Sequence, residues 1–205
     1  TQCNNDDIKN LEREISIISK LNHPGILKFV GYSKVNFIGK PKPTIITELV
    51  ANGSLGDILE LERKSRGNPQ WDDTKKLINI YGIAAAMAYL HQRDIIHRDL
   101  KPANILLNEY LFPKISDFGL SKIIDEESMK LLSGFKGTYA YSSPEMFENK
   151  YSKAGDVYAF GIIVYEIITG DQPYGNISPY QLLAEVPCGL RPEFEFEIPK
   201  CYKNL

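Results

Sequence analysis

Apolar residues recur every three or four positions near the start of the chain, which predicts an amphipathic helix. The polar residues 4–7 are suited to capping this helix, and Asn22-His23-Pro24-Gly25 is suited to ending it. The apolar face of the predicted helix is formed by Ile8, Leu11, Ile15, Ile18 and Leu21.

Strands are predicted next, because β-branched residues dominate segments 26–32 and 44–50. The segment between them contains one glycine and two prolines and is predicted to be a loop. A small helix follows residue 54, and then a long helix that is capped by Asp72 or Asp73 and reaches His91.

The second half of the chain is dominated by helices and loops. Segments 104–107 and 114–116 are typical of two short strands joined by a turn, whereas segment 122–141 has no sustained period and is predicted to be a long loop. Segment 156–169 is apolar on nearly every face, which indicates a fully buried helix. Strands followed by helices predict an α+β fold with two lobes and a joint near residue 50.

Three oxygen-bearing side chains have the chemistry that phosphoryl transfer requires. Asp99 and Asn104 lie in the stretch HRDLKPAN, and Asp117 opens the stretch DFG at the end of the predicted hairpin. Transfer to a hydroxyl needs a carboxylate to accept the proton and hard oxygen ligands to hold magnesium. An isolated aspartate near a lysine is usually a surface ion pair, but these residues together at this separation favour a catalytic site.

The stretches HRDLKPAN and DFG resemble the catalytic-loop and metal-binding motifs of the protein kinase family. By this resemblance Asp99 is the catalytic base, Lys101 steadies the transferred phosphate, and Asn104 and Asp117 bind magnesium. The resemblance therefore implies ATP and Mg²⁺ as cofactors and protein substrates as partners. It also gives Asp156, in the stretch DVYAFG, the role of holding the backbone of the catalytic loop.

The same resemblance matches further residues to ATP binding. For three of them an ordinary role stays open: a solvated helix charge for Glu14, an acid at a helix start for Asp57, and a core residue for Leu106. Glu14 would otherwise pair with the ATP-binding lysine, Asp57 would contact the ribose, and Leu106 would lie beneath the adenine. The residues expected to bind the cofactor are Glu14, Thr47, Glu48, Val50, Asp57 and Leu106.

Domain boundaries also follow from the resemblance. Residues 1–49 are expected to be the remainder of a kinase N-lobe, residues 50–54 the hinge, and residues 55–205 a truncated C-lobe. No glycine-rich loop and no VAIK-type strand precede Glu14 in this sequence. We therefore expect a two-lobe kinase-like fold whose N-lobe lacks its first three strands and whose C-lobe lacks its last helices. The fragment alone is expected to be a poor kinase.

Regulation is expected to involve Arg98, which precedes the base as in kinases whose activation loop is ordered by phosphorylation. Ser133 is the favoured phosphorylation site, by an upstream kinase or by self-phosphorylation, although it could be only a flexible loop residue. Thr138 is expected to orient the catalytic loop through its hydroxyl. Lys101 and Thr138 favour serine/threonine specificity, and stretches such as HPGILKFVGY resemble the tyrosine-kinase-like group.

Two other classes of function stay open at this point. One is a non-catalytic pseudokinase or scaffold that binds protein partners. The other is a small-molecule phosphotransferase, which would lack the GTxxYxxPE segment found here.

Composition and charge bear on nucleic-acid binding, membrane segments and cysteine chemistry. The net charge of −2 gives no basic footprint for nucleic acid, and no apolar run is long enough for a membrane segment. Three cysteines without CxxC spacing suggest neither a disulfide framework nor zinc, so a cytoplasmic location is expected.

Overall fold

The first described elements are a helical segment and a two-stranded hairpin. The computed structural model describes residues 11, 14–40, 42–119, 121–123 and 139–194, and for 122–123 the backbone only. Helix α1 covers residues 14–18, and strands β1 (Phe29–Ser33) and β2 (Thr44–Thr47) pair antiparallel. Residues 25–27 run beside Ile115, so backbone hydrogen bonds connect this first part of the chain to a later segment.

Two helices with well-formed N-termini follow. Helix α2 (Leu55–Arg63) begins at a capping box, in which the side chains of Ser54 and Asp57 each accept a backbone N–H of the other residue. Helix α3 (Asp73–His91) is capped by Asp72, whose carboxylate accepts the N–H of Lys75. The predicted cap and end of the long helix are therefore confirmed.

Four short strands flank the loops that contain the stretches HRDLKPAN and DFG. Strand β3 (Ile95–Ile96) pairs with β6 (Lys122–Ile123), and β4 (Ile105–Leu107) pairs with β5 (Pro113–Ile115), both antiparallel. A 3-10 turn, Pro102–Asn104, leads into β4. The predicted loop 122–141 is wrong at its first two residues, because their backbone pairs with β3, and a two-residue strand is too short to show a period of its own.

The last described part is helical. Two 3-10 turns, Tyr139–Tyr141 and Pro144–Glu148, precede helix α4 (Lys153–Thr169) and helix α5 (Pro179–Glu185). Helix α4 begins three residues earlier than predicted, because the Ser152 hydroxyl caps it. Gly170, at φ 75°, ends it in the left-handed conformation that favours glycine.

One main core joins these elements. Helices α3 and α4 pack against each other, and α3 also packs on β5. The core includes Ile17, Leu59, Ile83, Ile105 and Ile163, which come from α1, α2, α3, β4 and α4. The structure is α+β with few strands and several helices, as predicted, whereas the division into lobes at residues 50–54 stays a prediction. Across the described segments, no helix combines the length and the apolar character that crossing a bilayer requires.

Candidate active site

The loop between β3 and β4 brings three of the predicted catalytic residues together. The Lys101 ammonium donates to Asp99 Oδ2 at 2.7 Å. The Asn104 amide nitrogen donates to the same Oδ2 at 3.0 Å and to the Asp99 carbonyl oxygen at 2.8 Å. The Asp99 side chain, only 10% exposed, is therefore held in one orientation by two neighbours from its own loop.

The β4–β5 hairpin places Asn104 and Asp117 at the same end of the two strands. Ile105 pairs with Ile115, so Asn104 and Ser116 face each other just beyond the pair. The backbone N–H and the hydroxyl of Ser116 both donate to the Asn104 carbonyl oxygen, at 2.8 and 3.0 Å. Asp117 follows directly, which fulfils the expectation that the hairpin folds back beside the catalytic loop.

The turn that begins at Asp117 is fixed by its neighbours. Asp117 has φ 61°, and its Oδ1 accepts the N–H of Gly119 at 3.3 Å. Phe118 is buried, with its ring centroid 5.4 Å from that of His97. The His97 ring is itself fully buried and its Nε2 lies 3.0 Å from the Ser116 carbonyl oxygen.

Asp156, in the first turn of α4, holds the start of the catalytic loop. Its Oδ1 accepts the N–H of Arg98 and its Oδ2 accepts the N–H of His97, both at 2.9 Å. Arg98 has φ 71°, a backbone conformation that is costly for a residue with a side chain. The predicted role of Asp156 is confirmed. Sequence reasoning missed His91, whose Nε2 lies 2.8 Å from Asp156 Oδ2.

The predicted regulatory residues are only partly within the described chain. The Arg98 guanidinium lies over the ring of Tyr151, 4.7 Å from its centroid, so an aromatic face is one of its partners. Ser133 and Thr138 lie outside the described residues.

Glu14, on α1, reaches the same site. A Cβ added to Gly119 would lie 3.7 Å from Glu14 Oε2 and 3.3 Å from Asp117 Oδ1, so both carboxylates border this glycine. Burial raises the pKa of Glu14, and the negative charge of Asp117 raises it further. The structure therefore brings Glu14 to the predicted metal ligand, and its pairing with an ATP-binding lysine stays a prediction.

The predicted hinge residues lie at the end of β2 and just after it. Thr47 is the last residue of β2, and its hydroxyl donates to the Glu48 carbonyl oxygen at 3.3 Å. The Glu48 carboxylate accepts from Lys114 and from the N–H of Lys28, both at 2.8 Å. Burial alone would raise the pKa of Glu48, but these bonds and charges hold it below its usual value. A contact between Val50 and the adenine stays a prediction.

Asp57 and Leu106 are positioned by the segment that follows the hinge. Asp57 Oδ2 accepts from the Ser54 N–H at 2.8 Å and from the Ser54 hydroxyl at 2.7 Å, and these bonds lower its pKa. This is the helix-start role that the sequence left open, and a contact with ribose stays a prediction. Leu106 is half-buried in β4, where it pairs with Ser54, so it lies beside the residues that connect to the hinge.

A second network beside the catalytic loop was not found from the sequence. The Tyr141 hydroxyl donates to Glu166 Oε2 at 2.7 Å, and Arg63 Nη1 donates to Glu166 Oε1 at 3.1 Å. Burial raises the pKa of Glu166, whereas Tyr141 and Arg63 lower it in part. These residues come from α2, a 3-10 turn and α4, so no local pattern links them.

Asn104 and Asp117 are the candidate metal ligands. Within the described part of the chain, no cluster of three or more His, Cys, Asp or Glu side chains could hold a metal ion. Because the Asn104 amide nitrogen donates to Asp99, its amide oxygen is the atom left to act as a ligand. One amide oxygen and one carboxylate suit Mg²⁺, which in phosphoryl-transfer sites keeps several waters and binds substrate phosphates. The residues present therefore fit the ion.

Asp99 is held by Lys101 and Asn104, and Asp117 follows on the next hairpin, which is the arrangement expected of the protein kinase class. The family model described as protein tyrosine and serine/threonine kinase matches residues 1–205, and the chain belongs to that family.

Curated relatives are serine/threonine kinases. The chain is 35% identical to serine/threonine-protein kinase CTR1 of Arabidopsis thaliana over 204 residues, which cover 94% of this chain and 24% of that protein. It is 37% identical to a probable LIM domain-containing serine/threonine-protein kinase of Dictyostelium discoideum, covering 97% of this chain and 30% of that one. For serine/threonine-protein kinase STY17 of Arabidopsis thaliana the identity is 33%, covering 97% and 33%. The chain thus spans about a quarter to a third of the length of these relatives.

Proposed function

We propose that the protein containing this chain transfers the γ-phosphoryl group of ATP to serine and threonine hydroxyls of protein substrates. The observation that carries the proposal is the Asp99 carboxylate, held by Lys101 and Asn104 at 2.7 and 3.0 Å. The curated relatives named above support the serine/threonine class of acceptor.

Asp99 is the group that accepts the proton of the substrate hydroxyl. Its carboxylate is 10% exposed, so it is reachable from the cleft while its orientation is fixed. Lys101 brings a positive charge to within 2.7 Å of that carboxylate, where it favours the approach of a phosphoryl group. Asn104 orients the base through its amide nitrogen and offers its amide oxygen to the metal.

Magnesium, when bound by Asn104 and Asp117, neutralises charge on the phosphates. The turn at Asp117 is held by Gly119 and by the buried Phe118, so this carboxylate is presented in a defined position. Glu14 borders the same turn, and it needs a cationic partner there because burial and Asp117 both oppose its ionisation. A lysine of the full-length protein fits that need.

The adenine is expected to bind at the backbone of Glu48 and Val50, above Leu106 and beside Thr47. The Glu48 side chain is engaged by Lys114 and its N–H donates to the Lys28 carbonyl oxygen, so the Glu48 carbonyl oxygen is the group that would meet a nucleotide. Asp57 Oδ2 accepts the hydrogen bonds of the helix cap from Ser54, and a ribose contact would use Oδ1.

Replacement of Asp99 by Ala in the full-length protein tests the proposal. Turnover should fall by roughly 10²–10⁴-fold, as for loss of a general base, while ATP affinity changes little. The matched control is Asp73→Ala, which removes an exposed acid in the first turn of α3 and should leave turnover unchanged.

Two outcomes would contradict the proposal. Near-normal turnover in Asp99→Ala would show that another group takes the proton. ATP binding by the natural protein without any transfer to protein substrates would instead favour a non-catalytic scaffold.

A further inference from the structure

The loop between β1 and β2 presents an apolar tip to solvent. The two strands pair as far as Ser33 and Thr44, so the loop projects from the end of this hairpin. Phe37 is 93% exposed and Ile38 is 72% exposed, which places two adjacent large apolar side chains in water. Single exposed apolar residues are common on protein surfaces, but an adjacent pair on a projecting loop, with the exposed Val35 close by in sequence, forms a patch that a partner can cover.

Several backbone groups of this tip are hydrogen-bonded within the loop. Asn36 Oδ1 accepts the N–H groups of Ile38 and Lys40, at 3.1 and 3.0 Å. The Gly39 N–H donates to the Asn36 carbonyl oxygen, and the Asn36 N–H donates to the Lys40 carbonyl oxygen, both at 2.9 Å. Backbone polar groups that enter an apolar medium must be bonded internally. The tip can therefore leave water at a small polar cost.

The charged residues of the loop are all lysines. Residues 15–47 contain five lysines and no acidic residue, although the net charge of the chain is −2. Lys34, Lys40 and Lys42 lie in the loop itself and are exposed. None of the ion pairs between described residues involves these three side chains. Their ammonium groups are thus available to an anionic surface.

An anionic lipid bilayer fits both features of this loop. The apolar side chains of a convex tip enter the boundary between headgroups and acyl chains without a preformed pocket, whereas a protein partner would have to supply one. Lysines beside the tip then meet the negative headgroups, and apolar burial and electrostatic attraction act together. Such a contact uses a loop tip at the bilayer surface, so it does not require a helix that crosses the membrane.

We propose that the β1–β2 loop is a membrane-docking site: Phe37 and Ile38 insert into the interface of an anionic bilayer, and Lys34, Lys40 and Lys42 contact its headgroups. The inference goes beyond the proposed kinase function and does not depend on it, because the loop contributes none of the candidate catalytic or cofactor-binding residues.

Vesicle sedimentation with the full-length protein tests the site. Vesicles of phosphatidylcholine with roughly 30% phosphatidylserine are compared with vesicles of phosphatidylcholine alone. The natural protein should bind the anionic vesicles more tightly, and this binding should weaken as the salt concentration rises. Replacing the three loop lysines together by Gln should lower the affinity about 100-fold, at roughly fivefold per lysine. The double variant of Phe37→Ser and Ile38→Ser should lower it by at least about tenfold.

Matched controls make the same chemical changes elsewhere on the surface. The double variant of Tyr180→Ser and Leu183→Ser removes two exposed apolar side chains from α5. A second control replaces three exposed lysines that already have acidic partners by Gln, namely Lys64, Lys150 and Lys153. Both controls should bind vesicles as the natural protein does.

Insertion is measured separately with Phe37→Trp. After subtraction of the spectrum of the natural protein, the fluorescence of the new indole should shift to shorter wavelength on anionic vesicles. Lipids brominated in their acyl chains should quench it. Polyglutamate, an acidic polymer that offers no apolar phase, should cause neither change.

Three results would overturn the docking site. The first is equal binding of the natural protein to both kinds of vesicle. The second is unchanged binding in the lysine and tip variants, which would place membrane binding elsewhere in the protein. The third is a Trp signal that vesicles leave unchanged, or that polyglutamate changes equally, which would indicate contact with charge alone or with an acidic protein. None of these measurements uses kinase activity, so failure of the proposed function would leave them unaffected.

Discussion

Replacing Asp156 by Asn should destabilise the protein and slow its reaction, because one carboxylate holds the strained start of the catalytic loop. The side chain is 2% exposed and accepts the N–H groups of His97 and Arg98, one on each oxygen. An asparagine keeps one acceptor and places an NH₂ group against the other donor. The variant therefore loses a charge-assisted hydrogen bond and leaves a buried N–H without an acceptor.

The size of the effect follows from those two losses. A hydrogen bond to a charged group contributes about 1.5–3 kcal/mol, and an unsatisfied buried donor costs about 1–3 kcal/mol. We expect the free energy of unfolding to fall by about 3 kcal/mol. Arg98 holds φ 71°, a conformation that costs on the order of 1–3 kcal/mol, so its backbone should relax once the anchor is weakened. A shift of about 1 Å at the neighbouring Asp99 would reduce turnover by about 10²-fold.

Denaturant unfolding and steady-state kinetics of the full-length protein measure both quantities. Asp171→Asn is the control, since Asp171 is an exposed acid and its replacement should change the free energy of unfolding by less than about 0.5 kcal/mol. If Asp156→Asn were as stable and as active as this control, the carboxylate would not be what holds the loop, and the strain at Arg98 would have to be supported elsewhere.

Two further predictions concern α3 and α1. Gly82→Ala should destabilise the protein by about 1–3 kcal/mol despite the better helix propensity of alanine, because the new Cβ would lie 2.6 Å from the ring of Pro113. The control is Gly31→Ala, whose new Cβ would meet nothing within 4 Å. Thermal unfolding compares the two variants, and equal midpoints would contradict the clash. In the chain of residues 1–205, Glu14→Gln should gain stability over the unchanged chain as pH rises, because burial and Asp117 raise the folded pKa of Glu14 and its deprotonation weakens the folded state. Unfolding at several pH values from about 4 to about 8 measures this, and a constant difference would contradict it.

Local patterns were sufficient for helix α3 and for recognising the catalytic motifs. The cap at Asp72 and the end at His91 follow from side-chain chemistry within a few residues of each helix terminus. Asp99 and Asn104 lie on one loop and Asp117 follows the next hairpin, so their closeness in the fold could be predicted. Each of these predictions depends on residues close together in sequence, which is the range over which such patterns carry information.

The remaining features depend on distant residues or on backbone conformations without a local signal. Arg63 and Glu166 are 103 positions apart, and nothing near either residue indicates the other. Arg98 and Asp117 both have positive φ, which sequence reasoning assigns first to glycine or asparagine. Their conformations are imposed by the surrounding structure, in the case of Arg98 by a carboxylate from α4.

Helix α4 connects the catalytic loop to the network of Arg63, Tyr141 and Glu166. Asp156 in its first turn holds the catalytic loop, and Glu166 near its end holds Arg63 and Tyr141. Ten residues of helix separate these two carboxylates by about 15 Å along the axis. Between them the helix packs in the main core through Ile163, so one packed element positions both carboxylates. A change that tilts α4 should therefore disturb the hold on the catalytic loop and the network of Arg63, Tyr141 and Glu166 together, whereas loss of the ion pair between Glu48 and Lys114 should act at the predicted hinge.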